Sequence, residues 1–159
     1  MGTTSIRPAT SDDVSTIEAL LRDAGLPTEG LADIAARAPG DVVVAVSGGA
    51  IVGAAAIEVA GTNALLRSVV VRQDDRSAGV GREMVTRLLA EADQRRYDGV
   101  YLLTTTAGDW FPRFGFSRVE RTSVPRAIAE TWEFKTGCGE SAVAMARRRD
   151  AGTPPEHLP

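Results

Sequence analysis

The sequence is poor in reactive and metal-binding side chains: of its 159 residues one is cysteine, one lysine and one histidine, and 5% are aromatic. The single cysteine, Cys138, excludes an internal disulfide framework and suits a reducing compartment, which makes a cytoplasmic protein the expectation. The single histidine, His157, lies near the end of the chain, and no grouping of His, Cys, Asp and Glu has metal-ligand spacing, so no metal is expected. The single lysine, Lys135, stands far from the glycine-rich stretch in the middle of the chain, which excludes a nucleotide-phosphate loop ending in Gly-Lys-Ser/Thr. No apolar run approaches the ~18 residues of a membrane span, and the N-terminus shows no apolar targeting segment, so no membrane partner is expected. A net charge of −3 offers no positive excess for nucleic acid, and no such partner is expected either.

What is present is an ordinary globular composition, 43% hydrophobic and 25% charged, enough for one domain with its own core. We place that domain at residues 1–146 and read the charged, proline-rich residues 147–159 as a frayed tail. A short strand around Ile6 ends at Pro8, and Val14, Ile17, Leu20, Leu21 and Ala24 then recur at helical steps up to Gly25. Leu31, Ile34 and Ala35 mark a second, shorter helix. Residues 42–46, 50–59 and 65–71 read as an antiparallel meander that turns at Gly48-Gly49 and at Gly61-Thr62-Asn63. Val80, Met84, Val85, Leu88, Leu89 and Ala92 form the apolar stripe of a longer helix, whose other face, Glu83, Arg87, Glu91 and Arg95, reads as solvated charge. Residues 100–105 follow as a strand parallel to 65–71 through a right-handed crossover. Asp109 is placed as the cap of a short helix through Phe114, followed by a strand at 116–121, a short helix over 123–131 and a last strand at 141–145.

The chain is organised around Arg76-Ser77-Ala78-Gly79-Val80-Gly81, which follows the apolar strand and opens the long helix. The first N–H groups of a helix have no partner within it and the helix dipole is positive there, so a strand that bends through glycines into a helix start makes an anion site. Gly79 and Gly81 lack a Cβ, which lets a bulky ligand such as a pyrophosphate come against the backbone. The dinucleotide fingerprint is excluded because its third glycine would fall on Met84.

What fits is R/Q-x-x-G-x-G/A, the acyl-coenzyme A loop of the GNAT superfamily of N-acetyltransferases; Phe114-Gly115-Phe116 also matches the end of that family's short helix. The chain resembles this superfamily over nearly its whole length. More narrowly, residues 66–71, 101–106, 111–116 and 138–145 resemble the acetyltransferases associated with arsenic-resistance operons. The resemblance implies an α/β (α+β) fold: a mixed central sheet of six to seven strands, split in a V between strands 4 and 5 and flanked by about four helices. It implies acetyl-CoA as co-substrate and direct transfer to a small-molecule amine, amino-acid-like or a toxic arsenical or phosphinate. By analogy it implies a homodimer. Carried over residue by residue, it puts Val69, Val70 and Val71 along the pantetheine arm, Arg76, Ser77, Ala78, Gly79, Val80, Gly81 and Arg82 around the pyrophosphate, and Thr104, Phe111 and Phe114 beside the cofactor.

Two positions depart from the family pattern. The usual tyrosine acid is replaced by Phe111, which has no proton to give, and the asparagine often found after the fifth strand corresponds to Thr104. A catalytically silent acyl-CoA-binding sensor is therefore the alternative to an enzyme. Glu58 is a candidate base acting through water, or an outward strand charge. Arg67, in an otherwise apolar strand, either holds an anionic group of the substrate or sits in a structural ion pair. Ser68 and Tyr101 are candidate proton donors, or packing residues. Cys138 is a small loop residue or an arsenical contact.

Overall fold

The computed structural model of the chain describes residues 4–137 and 141–149. In chain order the elements are β1 (Thr4–Pro8), α1 (Val14–Asp23), α2 (Leu31–Arg37), β2 (Val42–Ser47), β3 (Ala50–Ala60), β4 (Asn63–Val71), α3 (Val80–Gln94), β5 (Gly99–Thr104), β6 (Ser117–Val119), α4 (Arg126–Ala129) and β7 (Val143–Arg148). The strands form one seven-stranded sheet in the order β1-β2-β3-β4-β5-β7-β6. Every neighbouring pair is antiparallel except β4 and β5, which are parallel because α3 carries the chain back across the sheet. Among the described residues no helix is long and apolar enough to cross a membrane.

The continuous apolar run of β2 has a simple cause: both of its faces are covered. Val42 and Val44 pack with Ala54 and Ala56 against Ile17 and Leu21 of α1 and Leu31 and Ile34 of α2. Val43 and Ala45 face the other way, with Ala55, Ile57 and Leu66, against Met84, Val85 and Leu88 of α3. The turn between β2 and β3 needs two residues in the left-handed region, and Gly48 and Gly49 supply them at φ 59° and 82°. Ahead of α1, Asp13 accepts from the backbone N–H of Thr10 at 2.7 Å and pairs with Arg7 at 2.7 Å. The Arg7 hydrogen bond is the main reason its carboxyl is held down to about 2.

One irregularity in β4 shapes everything that follows. Ala54 stands opposite Val70 and Ala56 opposite Arg67, so β4 advances one residue more than β3 over this stretch. The extra residue lets Ser68 adopt φ 59°, a left-handed conformation uncommon for a residue with a side chain. Leu65 and Arg67 lie on one face; past the bulge Val69 and Val71 join the α3 side while Val70 packs with α1 and α2. Among the described residues β4 meets β5 at Ala64–Val100 and Leu65–Tyr101 and at no later position, so the two strands part into a V.

Several local expectations are corrected. The short helix before Gly115 is a single 3-10 turn, Phe111–Phe114, with Trp110 rather than Asp109 in the cap position. β6 is shorter than residues 116–121, because Arg121–Ser123 winds into another 3-10 turn. The helix expected over 123–131 is reduced to the four residues of α4. Arg95 is not simply solvated: it holds the buried Asp41 at 2.7 Å, while Arg87 donates to the carbonyl of Ile6 at 2.8 Å. The frayed tail does not begin at Arg147. That residue lies within β7, reaches Asp93 at 2.9 and 3.0 Å and donates to the carbonyl of Phe114, so the fold runs through Arg149. Cys138 and residues 150–159, His157 included, lie outside the described residues.

Candidate active site

A cavity of about 990 Å³ fills the V. One wall is residues 66–71 of β4, and the other is residues 102–104 of β5 with the turn that follows. Past Leu65 the edge of β4 has no ladder on the β5 side, so the backbone there opens onto the cavity and is available to an extended ligand. Ala24, Gly25, Leu26 and Pro27, which follow α1, close it from the side.

At the C-terminal end of β4 the wall is made by Arg76, Gly79, Gly81 and Arg82. The chain leaves β4 through a 3-10 turn, Gln73–Ala78, and Gly79 at φ 78° swings it into α3. Among the described residues a Cβ at Gly79 would meet nothing beyond its own neighbours within 4 Å, and Gly79 lines the cavity, so the backbone lies open there. Gly81 is a different case: a Cβ there would stand 3.5 Å from the Trp110 ring and from Val71. Arg76 Nε donates to the carbonyl of Val71 at 3.0 Å, which ties the loop back to the strand. Val80 turns into the core. Beside the loop, Arg113 lies 5.6 Å over the ring of Trp110, and both line the cavity.

At the other end the wall carries Arg67, Ser68 and Glu133. The Arg67 side chain is 1% exposed. Its Nε donates to Ser68 Oγ at 3.1 Å and lies 3.5 Å from Glu133 Oε2; one terminal nitrogen donates to Glu58 Oε1 at 3.0 Å, and the other to the carbonyl of Glu29. Glu133 comes from a π-helical turn, Glu133–Gly137, and its side chain is 6% exposed. Its carboxyl is pushed up to about 6, chiefly by burial; Arg67 opposes the rise and Glu58 adds to it. Among the described residues no group of three or more His, Cys, Asp or Glu is placed to hold a metal ion.

Residues 38–118 match the model of the acetyltransferase (GNAT) domain family, which is half of the chain. The chain belongs to the GNAT acetyltransferase family. A comparison with curated proteins gives no match in sequence. Among solved structures, a GNAT-family acetyltransferase from Staphylococcus aureus superposes with a TM-score of 0.77 at 14% identity, over 92% of this chain and 99% of that one. The Rv2747 protein of Mycobacterium tuberculosis, solved in complex with CoA, gives 0.74 at 23% identity over 91% and 99%. The N-acetylglutamate synthase of Neisseria gonorrhoeae, solved with coenzyme A and N-acetyl-glutamate, gives 0.76 at 20% identity over 93% of this chain, which spans 35% of that longer one. At these identities the likeness speaks for the fold.

Set on the GNAT frame, the residues singled out from the sequence fall in three groups. Val69, Val70, Val71, Arg76, Gly79, Gly81, Arg82, Thr104 and Phe111 line the cavity together with Arg67 and Ser68. Phe114 stands behind Trp110, their rings 4.9 Å apart, and Ser77 and Ala78 belong to the 3-10 turn. Glu58 and Tyr101 are not part of the wall: Glu58 reaches Arg67 from β3, and Tyr101 packs with Leu65, Ile128 and Phe134. Phe111 does line the wall, edge-to-face with Trp110 at 4.9 Å and Phe116 at 5.8 Å, and its buried ring offers no proton. The Thr104 hydroxyl accepts from the backbone N–H of Ala107 at 3.0 Å and so shapes the turn after β5. Glu133, Trp110 and Arg113 were missed. For Glu133 there was a signal, a lone carboxylate between Trp132 and Phe134.

Proposed function

We propose that this chain is an acetyl-CoA-dependent N-acetyltransferase that acts on a small-molecule amine by direct attack in a ternary complex. The observation that carries the reading is the V between β4 and β5, with an open helix-start loop at one end and a buried carboxylate–guanidinium cluster at the other. The pyrophosphate lies on the backbone N–H groups at the start of α3, the pantetheine arm runs along the free edge of β4, and the thioester reaches the bulge at Ser68. A neutral amine attacks the thioester carbonyl there, and the coenzyme A thiolate leaves.

The acceptor is amino-acid-like or a toxic arsenical or phosphinate amine. Supporting this are the sequence resemblance to arsenic-resistance acetyltransferases and one structural neighbour solved with N-acetyl-glutamate. Arg67 is the substrate contact for the acceptor's acid group: it lines the wall, and a guanidinium fork matches a carboxylate or oxyacid. A cytoplasmic homodimer belongs to the same proposal, on the single cysteine and on analogy with GNAT relatives.

The test is acetyl-CoA consumption with a panel of primary amines that includes amino acids and amino-phosphinates. Turnover with at least one member is expected. Coenzyme A binding without turnover across the panel would favour the silent sensor, the reading that Phe111 supports. With no tyrosine to protonate the thiolate, Phe111→Tyr is expected to raise kcat or leave it nearly unchanged. A collapse of kcat at normal coenzyme A affinity would assign the Phe111 ring a positioning role instead.

A further inference from the structure

Resting on the acetyl-transfer reading, the acceptor end of the cavity also points to the group that takes the amine's proton. We propose that Glu133 is the general base and the seat of the acceptor's ammonium group, with Arg67, itself anchored by Glu58, beside its carboxylate. Glu58 is the candidate base from the sequence, yet it bonds Arg67 from β3 and is not part of the cavity wall. Glu133 is in the wall, and it meets Ser68 at the same nitrogen, Arg67 Nε, where β4 bulges toward the thioester position.

The electrostatics support the same role. Arg67 from β4 and Glu58 from β3 are charged groups that act on Glu133, the first favouring its ionised form and the second opposing it. A buried carboxylate in the cavity wall is a seat for a cation. An amine at neutral pH arrives as such a cation and cannot attack until it loses a proton. A carboxyl raised to about 6 is ionised at pH 7 yet basic enough to accept that proton. Glu133 takes one proton from the ammonium, and the nitrogen lone pair forms the C–N bond at the thioester carbonyl. The C–S bond breaks with its electron pair on sulfur. The second proton, released from nitrogen as the amide forms, goes to the thiolate, and Glu133 returns its own proton to solvent through the cavity.

The test is the pH dependence of kcat/KM for two panel amines whose own pKa values differ by a unit or more. The wild type is expected to show an acid limb near 6 for both, since the limb belongs to the protein. A limb that moves with the amine's own pKa overturns the proposal, and this needs no variant. Glu133→Gln is expected to lower kcat/KM on the order of 10²-fold, to lose the limb near 6 and to keep its coenzyme A affinity by calorimetry. Glu58→Gln is expected to keep the limb but shift it to lower pH, because Glu58 is one of the charges that raise Glu133. An active Glu133→Gln with the limb intact, or loss of the limb in Glu58→Gln instead, overturns the assignment while leaving acetyl transfer standing. A wild type that turns over no amine overturns both.

Discussion

Arg67→Ala is expected to destabilise the fold by about 3–5 kcal/mol, the cost of leaving buried charges without their partner. The Arg67 side chain is 1% exposed and answers Glu133, 6% exposed, and Glu58, 19% exposed. Removing it takes the guanidinium from between two carboxylates and takes its donor from the Glu29 carbonyl. A loss of that size corresponds to a fall in Tm on the order of 10 °C in thermal unfolding. Adding Glu58→Gln and Glu133→Gln to Arg67→Ala is expected to restore part of it, because the uncompensated charge has gone. Arg67→Lys restores little, since a point charge cannot reach Glu58, Glu133 and the Glu29 carbonyl at once. Where the alanine variant stays folded at low temperature, KM for the acceptor rises and KM for acetyl-CoA barely moves. Stability within about 1 kcal/mol of wild type would show that the cluster contributes little to the fold and leave Arg67 a substrate contact alone.

Gly79→Val is expected to weaken coenzyme A binding by about 100-fold or more, the loss of two or so charge-assisted bonds to phosphate. Among the described residues nothing beyond its own neighbours stands within 4 Å of the position a Cβ would take, and Gly79 lines the cavity, so the branched side chain is expected to obstruct the proposed phosphate site. The backbone at φ 78° adds roughly 1–3 kcal/mol of strain for a β-branched residue, felt as a modest fall in Tm. Calorimetry with coenzyme A separates the two effects. Gly79→Ala should fall between, carrying the strain but a smaller obstruction. Full affinity in a folded Gly79→Val would move the phosphate site elsewhere.

The order of elements was legible because each rests on local physics. The alternation of Val42, Val43 and Val44 between two covered faces, the stripe from Val80 to Ala92, and the left-handed turns at Gly25, Gly48-Gly49, Gly79 and Gly115 are all demands a short stretch makes on itself. Boundaries were less legible where an arginine decides them: Arg147 looks like tail until Asp93 of α3 and the Phe114 carbonyl are beside it.

The sequence by itself determined the family, the strand–loop–helix with its open glycine, and the absence of the usual tyrosine at Phe111, since these depend on residue identity and spacing along the chain. Only the tertiary structure decided the bulge at Ser68, because a register of three residues against two exists only once β3 lies beside β4. It also decided that Glu58, Arg67 and Glu133 form one cluster. Glu58 and Arg67 stand nine residues apart on the neighbouring strands β3 and β4, but Glu133 comes from a turn before β7, far along the chain, and no periodicity links it to them. What joins them is the sheet, which closes over an arginine that had to find its partners in the core.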